Sequence, residues 1–193
     1  KSFELIYNGV DVKKFKPLDR TKARQLFNLP LNKKILLSVG RVEHVKGHEH
    51  LIRSLSYLND DFIVVIAGNG SCLENLKKLT EKLDLNNRVI FLGSIDNPEH
   101  LYPASDIFCL PSLNEGLPFA ILEAQACNIP VLCSDVGGCY EAINIESGSL
   151  VDPANSKLIA KEVIKLIEMK FHPRNYIIKN FSFESLLIKY DSL

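Results

Sequence analysis

Two basic residues on one loop have the types and spacing needed to bind an anion. Arg41 and Lys46 lie five positions apart, and Lys46 is followed by Gly47 where a helix is predicted to begin. A flexible loop that ends at a helix N-terminus can bring both side chains and free backbone N–H groups onto one anion. The pattern suits a diphosphate; the alternative is two solvated surface cations, the usual situation of Arg and Lys.

Two acidic residues, Glu115 and Glu123, form a second candidate group. Glu123 lies inside a helix predicted over 117–127, and its neighbours three and four positions away are apolar. A carboxylate on such a face is costly unless it is hydrogen-bonded, and the adjacent hydroxyls of a ribose would bond both oxygens. Glu115 precedes the helix beside Gly116, where a ligand can approach the backbone and offer sugar hydroxyls. A structural Glu123 and a helix-capping Glu115 are the alternatives.

The hydrophobic pattern indicates the elements that must position these residues. Continuous apolar runs, typical of strands buried on both faces of a parallel sheet, occupy 35–39, 62–67, 89–92, 107–110 and 130–133. Helical periodicity covers 48–58, 71–83, 117–127, 155–169, 173–181 and 183–193. The alternation predicts an α/β fold: a doubly wound, Rossmann-like parallel sheet with helices on both faces and a C-terminal helical tail. We expect residues 1–193 to form a single domain.

The ends of the predicted strands carry residues suited to a ligand. Right-handed crossovers place these ends on one edge of the sheet, where open α/β sheets bind ligands. Glycine or polar residues follow every run, at 40–41, 68–70, 93–94, 111–116 and 134–138. Tight turns alone would also favour glycine here, but the coincidence with the charged residues favours a binding site.

Composition excludes several other classes of protein. Lys plus Arg is 23 and Asp plus Glu is 23, which argues against a nucleic-acid-binding surface and a polybasic membrane contact. No apolar run approaches the roughly 18 residues of a membrane span. The first residues resemble neither a signal peptide nor a natural start, so we expect a chain cut from a longer one. The five cysteines include no C-x-x-C pair, and those in apolar runs indicate reduced core thiols of a cytoplasmic protein: Cys109, Cys127 and Cys133.

Five motifs in order carry a resemblance to a known family. They are YNGVD (7–11), VGR-x4-KGH (39–48), AGNG (67–70), PSLNEGLPFAILE (111–123) and DVGG (135–138). Together they resemble the C-terminal domain of family 4 retaining glycosyltransferases of the GT-B architecture, over about residues 7–152. The segment 181–190 is similar to the closing helix of that family. One departure is Cys139–Tyr140, where the family usually has a Pro-Glu pair, and it concerns the acceptor side.

The resemblance implies a function and a set of roles. The chain would be the donor-binding half of a retaining hexosyltransferase, with a UDP- or GDP-sugar as substrate and no metal or other cofactor. An N-terminal acceptor-binding domain, outside this chain, would be its partner, so the chain alone should be nearly inactive. The whole enzyme would be cytoplasmic, either free or at the cytoplasmic face of a membrane, and would serve polysaccharide or glycoconjugate biosynthesis.

The implied roles fall on particular positions. Arg41 and Lys46 match the pair that holds the diphosphate, Glu115 the acid that faces the transferred sugar, and Glu123 the acid that binds the ribose. Arg41, Lys46 and Glu115 are the expected catalytic residues. The remaining expected donor contacts lie at strand ends and at the start of the helix: Gly40, Gly68, Leu92, Gly93, Gly116, Leu117, Pro118 and Phe119.

A few residues bear on the rival functions. An NAD-dependent oxidoreductase is disfavoured because Leu73 stands at the third glycine position after Gly68 and Gly70, and no acid follows at the expected strand end. A nucleotide-sugar epimerase and a non-catalytic nucleotide-sugar-binding module remain open. A metal site at His44, His48 and His50 is disfavoured because Lys46 lies among them, so we expect solvent-facing or phosphate-side histidines.

Overall fold

The computed structural model describes residues 7–191 and confirms the predicted α/β fold. Six parallel strands form one sheet in the order β3-β2-β1-β4-β5-β6. The strands are β1 (Lys34–Val39), β2 (Phe62–Ala67), β3 (Val89–Gly93), β4 (Ile107–Leu110), β5 (Val131–Ser134) and β6 (Gly148–Val151). The helices are α1 (Arg20–Leu26), α2 (His48–Ser54), α3 (Leu73–Lys82), α4 (Phe119–Ala126), α5 (Ser156–Glu168), α6 (Pro173–Phe181) and α7 (Phe183–Asp191).

The helices cover both faces of the sheet because alternate strand residues point to opposite sides. In β1, Ile35 and Leu37 join a core cluster that includes Ile121 of α4 and Ile177 of α6. Leu36 faces the other way, into a cluster formed with residues of α2, α3 and α5. The strands must therefore be apolar along their whole length, because each face of the sheet packs into a separate core.

The structure adds a strand and a helix that the pattern did not predict. Strand β6 has only two large apolar residues in the sequence Gly-Ser-Leu-Val, and it lies at the sheet edge beside β5. Helix α1 is short, with an Asp19 N-cap that accepts a hydrogen bond from the Lys22 backbone N–H. Its anchor is a buried cation, Arg24, whose guanidinium donates to Asp106 at 2.7 Å and to the Ala104 carbonyl at 2.9 Å. A buried arginine carries no hydrophobic signal, which explains why the helix was missed.

Helix boundaries also differ from the prediction, as α2 and α4 show. The helix predicted over 48–58 ends at Ser54, and a 3-10 turn at Leu55–Tyr57 follows it. The helix predicted from 117 begins at Phe119, and Pro118 is its N-cap residue, not a first-turn residue. The extended backbone of Pro118 keeps residues 115–118 outside the helix as a loop.

The predicted core thiols are confirmed. Cys109, Cys127 and Cys133 are buried and form no disulfide. Burial raises the pKa of the Cys127 thiol to about 12, so it remains protonated at neutral pH. Among residues 7–191, no helix has both the length and the apolar character needed to cross a bilayer.

Candidate functional site

The order of the strands creates a crevice at the carboxyl edge of the sheet. Strand β1 is followed in sequence by its neighbour on one side, and β4 lies on its other side. The loops that leave β1 and β4 therefore run to opposite faces, which is the geometry at which open α/β sheets bind ligands. The predicted basic loop, 40–47, follows β1, and the predicted acidic loop, 111–118, follows β4.

Lys46 and Glu115 meet across this crevice. The Lys46 Nζ donates to Glu115 Oε1 at 2.6 Å, and Ser112 Oγ donates to the same oxygen at 2.7 Å. The two charged side chains are 19% and 10% exposed, so the pair is only partly screened by water. The backbone is also joined here, because the Leu113 N–H donates to the Val45 carbonyl at 2.7 Å. The structure thus places Lys46 beside Glu115, with the glutamate fixed by hydrogen bonds from Lys46 and Ser112.

Close backbone contact fixes the distance between the two loops. Gly47 has a positive φ of 67°, and a Cβ at this position would lie 1.8 Å from the Pro111 carbonyl oxygen. Only glycine therefore permits this approach. In the sequence Gly47 marks the start of a helix. In the structure it also allows the loop after β1 to pack directly against the loop after β4.

Arg41 lies at a second place along this edge of the sheet and forms no hydrogen bond or ion pair with Lys46 or Glu115 in the described part of the chain. It is exposed, and it lines a cavity of about 260 Å³ at the ends of β1, β2 and β3. Its other lining residues with polar side chains are Asn69 and Ser94. The remaining lining residues are Val39, Gly40, Ala67, Gly68, Ile95 and Pro98.

Glycines shape this cavity. Gly40 has a φ of 148° and open space where a Cβ would stand, whereas a Cβ on Gly68 would lie 1.8 Å from the Gly40 carbonyl oxygen. Gly93 has a φ of 70°, and its carbonyl accepts from the Gly68 N–H at 2.7 Å. Leu92 is partly buried against the core. The predicted Gly40, Gly68 and Gly93 thus lie around the same strand ends.

The loop from Gly116 to Phe119 is open to solvent on its outer side. A Cβ added at Gly116 would have nothing within 4 Å, and Phe119 is 52% exposed. Leu117 packs against the core, which anchors the loop. Beneath it, the Gly138 N–H donates to the Gly116 carbonyl at 3.1 Å. A ligand can therefore reach the backbone amides of this loop, which Leu117 and Gly138 hold in place.

Glu123 is positioned by a tyrosine that the sequence pattern did not indicate. Tyr102 is fully buried, and its hydroxyl donates to Glu123 Oε2 at 2.6 Å. Burial raises the pKa of Glu123, and the hydrogen bond from Tyr102 opposes that shift. The other oxygen, Oε1, accepts no hydrogen bond from the described residues. Tyr102 lies 21 positions away in an apolar segment, so no local spacing signal pointed to it.

The histidines differ from the expectation in one respect. His44 is exposed and His50 is half-buried, but His48 is only 2% exposed and does not face solvent. Burial, with a contribution from Lys46, lowers the pKa of His48 to about 4. Within residues 7–191, no three His, Cys, Asp or Glu side chains are grouped to hold a metal ion.

Comparison with known families shows which family the chain belongs to. The model of the family "Glycosyl transferases group 1" matches residues 19–182. The chain belongs to the group 1 glycosyl transferases. This group 1 domain is 34% identical over 165 residues to D-inositol 3-phosphate glycosyltransferase of Mycolicibacterium vanbaalenii, covering 77% of this chain and 37% of that protein. The domain thus spans well under half of that relative.

Two solved structures show the same fold. The structure of Anabaena HepE in complex with UDP superposes with a TM-score of 0.90 at 25% identity, covering 98% of this chain and 57% of that one. The C-terminal domain of a group 1 glycosyl transferase, LpcC, from Francisella tularensis gives a TM-score of 0.73 at 28% identity, covering 94% of this chain and 98% of that one. These likenesses support the predicted C-terminal domain of a GT-B glycosyltransferase.

Proposed function

We propose that this group 1 domain binds a nucleoside diphosphate sugar in the crevice between loops 40–47 and 111–118. Together with an acceptor-binding domain, it would transfer the sugar to an acceptor hydroxyl with retention, as a family 4 hexosyltransferase. The observation that carries the proposal is the contact of Lys46 with Glu115 across the point where the strand order reverses. The complex of the similar HepE with UDP supports the same class of ligand.

The cations would act on the leaving group. As the bond between the anomeric carbon and the diphosphate oxygen breaks, negative charge grows on the diphosphate and positive charge on the sugar ring. Lys46, held at the crevice, and Arg41, at its cavity, would stabilise the diphosphate charge that appears in the transition state. The free backbone N–H groups of the loop at Gly116 would add to this stabilisation.

The acids would hold carbohydrate hydroxyls. Glu115 has one oxygen bonded to Lys46 and Ser112, which fixes the carboxylate while leaving the second oxygen for the transferred sugar. Glu123 is held in the same way by Tyr102 and would accept from the ribose. Gly40, Gly68, Leu92 and Gly93 would line the base side.

Calorimetric titration with UDP tests the role of the two cations. Arg41→Ala and Lys46→Ala should each weaken UDP binding, because a charge-assisted hydrogen bond contributes about 1.5–3 kcal/mol. That loss corresponds to roughly 10- to 150-fold in affinity. Lys77→Ala is the matched control, since Lys77 is an exposed lysine paired with Glu74 on α3. Affinity that is unchanged in Arg41→Ala would remove the diphosphate assignment.

Product analysis tests the reaction itself. The domain joined to an acceptor-binding domain should release UDP or GDP from a labelled donor and yield a product with the anomeric configuration of the donor. Inverted product would contradict retention, an epimerised donor would indicate an epimerase, and binding without turnover in the joined protein would indicate a non-catalytic module.

A further inference from the structure

The cavity at the ends of β1, β2 and β3 offers apolar surface and bare backbone to a ligand. Its volume is about 260 Å³, and Val39 and Ile95 are among its apolar lining residues. A Cβ added at Gly40 would have nothing within 4 Å, and one added at Gly93 would have Asn69 Oδ1 as its nearest neighbour, at 3.9 Å. A flat ring can therefore approach the backbone closely at these two glycines.

Two polar side chains line this cavity from neighbouring loops. Asn69 follows β2, Ser94 follows β3, and both are exposed. Asn69 Nδ2 donates to Ser94 Oγ at 2.9 Å. The Asn69 carbonyl also accepts from the Val42 N–H at 2.9 Å, which ties the backbone of this asparagine to the loop after β1. The pair is thus held in place and remains open to a ligand.

The hydrogen bond between the two side chains leaves a free acceptor beside a free donor. Asn69 Oδ1 accepts no hydrogen bond from the described residues. Ser94 Oγ accepts from Asn69, so its own hydrogen is left for donation, and no acceptor in the described part of the chain takes it. A ligand that satisfies both atoms must present an N–H next to an acceptor oxygen.

Among the nucleobases, uracil and guanine carry this pattern. Each has a ring N–H beside a carbonyl oxygen, whereas cytosine and adenine have a bare ring nitrogen beside an amino group. The Asn69 oxygen would accept from the ring N–H while the Ser94 hydroxyl donates to the carbonyl. Cytosine or adenine would instead place a ring-nitrogen lone pair against the Asn69 oxygen, which disfavours those bases.

We propose that Asn69 and Ser94 select the base of the nucleotide donor, and that they select a base with a ring N–H beside a carbonyl, as in uracil and guanine. This inference rests on the proposed function, because the cavity receives a base only if the diphosphate binds at Arg41 and Lys46. Arg41 lines the same cavity, so one nucleotide can contact the guanidinium with its diphosphate and the polar pair with its base.

Calorimetric titration with four nucleoside diphosphates tests the selection. UDP and CDP have rings of the same size and differ at the hydrogen-bonding edge, as do GDP and ADP among the purines. The preferred nucleotide of a pair should bind more tightly by roughly 5- to 150-fold, the range for a pair of hydrogen bonds to a base edge. A preference for UDP over CDP assigns uracil, and one for GDP over ADP assigns guanine. Equal affinities within both pairs would overturn the proposal.

Variants of the two residues show whether their side chains make the choice. Asn69→Ala and Ser94→Ala should each reduce the preference within a pair, because each removes one hydrogen bond to the base. Ser94→Thr keeps the hydroxyl and should retain the preference. Asn75→Ala is the matched control, since Asn75 is another exposed asparagine, on α3, and it should retain the preference as well. A loss of affinity shared equally by both nucleotides of a pair would indicate a merely structural role and would overturn the proposal.

Inorganic pyrophosphate separates this inference from the proposed function. Asn69→Ala should leave the affinity for pyrophosphate unchanged because that ligand has no base, whereas Arg41→Ala should weaken it. If Arg41→Ala and Lys46→Ala both leave UDP binding unchanged, the donor site itself is wrong. If both weaken UDP binding while Asn69→Ala keeps the full preference within each pair, only the base selection is wrong.

Discussion

At the scale of single residues, three charged groups of the candidate site are each held by a second group: Lys46, Glu115 and Glu123. Lys46 and Glu115 lie 69 positions apart in the chain and hold each other, while Ser112 shares the same carboxylate oxygen. A group fixed in this way loses little conformational freedom when a ligand arrives. The held geometry supports a preorganised site for charge on a diphosphate.

Glu123 shows the cost of such an arrangement. Its carboxylate is partly buried in an apolar region, and burial raises its pKa above the ordinary value of 4.5. The Tyr102 hydroxyl offsets only part of this cost. A residue retained against stability is characteristic of binding sites, where the ligand completes the missing hydrogen bonds.

Glu123→Gln should therefore stabilise the free domain while weakening UDP binding. The folded state binds the Glu123 proton more tightly than the unfolded state, so this residue lowers stability as pH rises from about 4.5 through the raised folded-state pKa. The unfolding free energy of the variant relative to wild type should grow across that window and then stay level. Chemical denaturation at several pH values measures it.

Two results would contradict this account of Glu123. A stability difference independent of pH would show that the carboxylate is not destabilised by burial. Undiminished affinity for UDP in Glu123→Gln would remove the ribose assignment. Gln offers the same oxygen to Tyr102, so packing changes little in this comparison.

At the scale of elements, the loop after β5 supports the loop after β4. Gly137 has a φ of 53°, and a Cβ there would lie 1.6 Å from the Glu115 carbonyl oxygen. The Gly138 N–H then bonds to the Gly116 carbonyl. The DVGG motif at 135–138 thus acts as a platform under the acidic loop.

Gly137→Ala should displace that platform. The added methyl overlaps a backbone atom, and such overpacking costs about 1–3 kcal/mol, with roughly 1 kcal/mol or more from the left-handed backbone. The melting temperature should fall, and UDP affinity should fall with it because Glu115 moves. Thermal unfolding and calorimetry measure the two effects.

Gly116→Ala is the matched control for folding. A Cβ there meets nothing within 4 Å, and its φ is not in the left-handed region. Its melting temperature should stay close to that of wild type. If Gly137→Ala were equally harmless, the tight contact between the two loops would be wrong.

At the scale of the whole molecule, the reversal of strand order next to β1 determines where a ligand can bind. Loops from the two halves of the sheet, 40–47 and 111–118, meet at this point. A ligand that bridges them binds the folded state alone and must therefore stabilise the entire domain.

A nucleotide should accordingly raise the melting temperature without a metal. UDP at a hundred times its dissociation constant adds about 2.7 kcal/mol, which corresponds to roughly 5–11 °C for a domain of this size. Because we propose that Arg41 and Lys46 replace a divalent cation, EDTA should leave the shift unchanged. A shift that is abolished by EDTA and restored by magnesium would contradict the proposal.

Much of the fold followed from the sequence because a doubly wound sheet leaves a strong pattern. The runs at β1 to β5 are continuously apolar, and α3, α5 and α6 have clear periodicity. The missed elements lack that signal: β6 is an edge strand with two large apolar residues, and α1 is anchored by Arg24. Local pattern reports burial of apolar side chains, not burial of a bonded cation.

For the candidate site, the sequence by itself determined the residue types and the edge of the sheet on which they lie. It identified Arg41, Lys46 and Glu115 because charges and glycines follow the strand ends, and Glu123 because it is a carboxylate among apolar helix neighbours. Only the tertiary structure decided that Lys46 pairs with Glu115, that Arg41 lies beside a separate cavity, and that Tyr102 holds Glu123. The physical reason is that such contacts depend on strand order, which local periodicity does not encode.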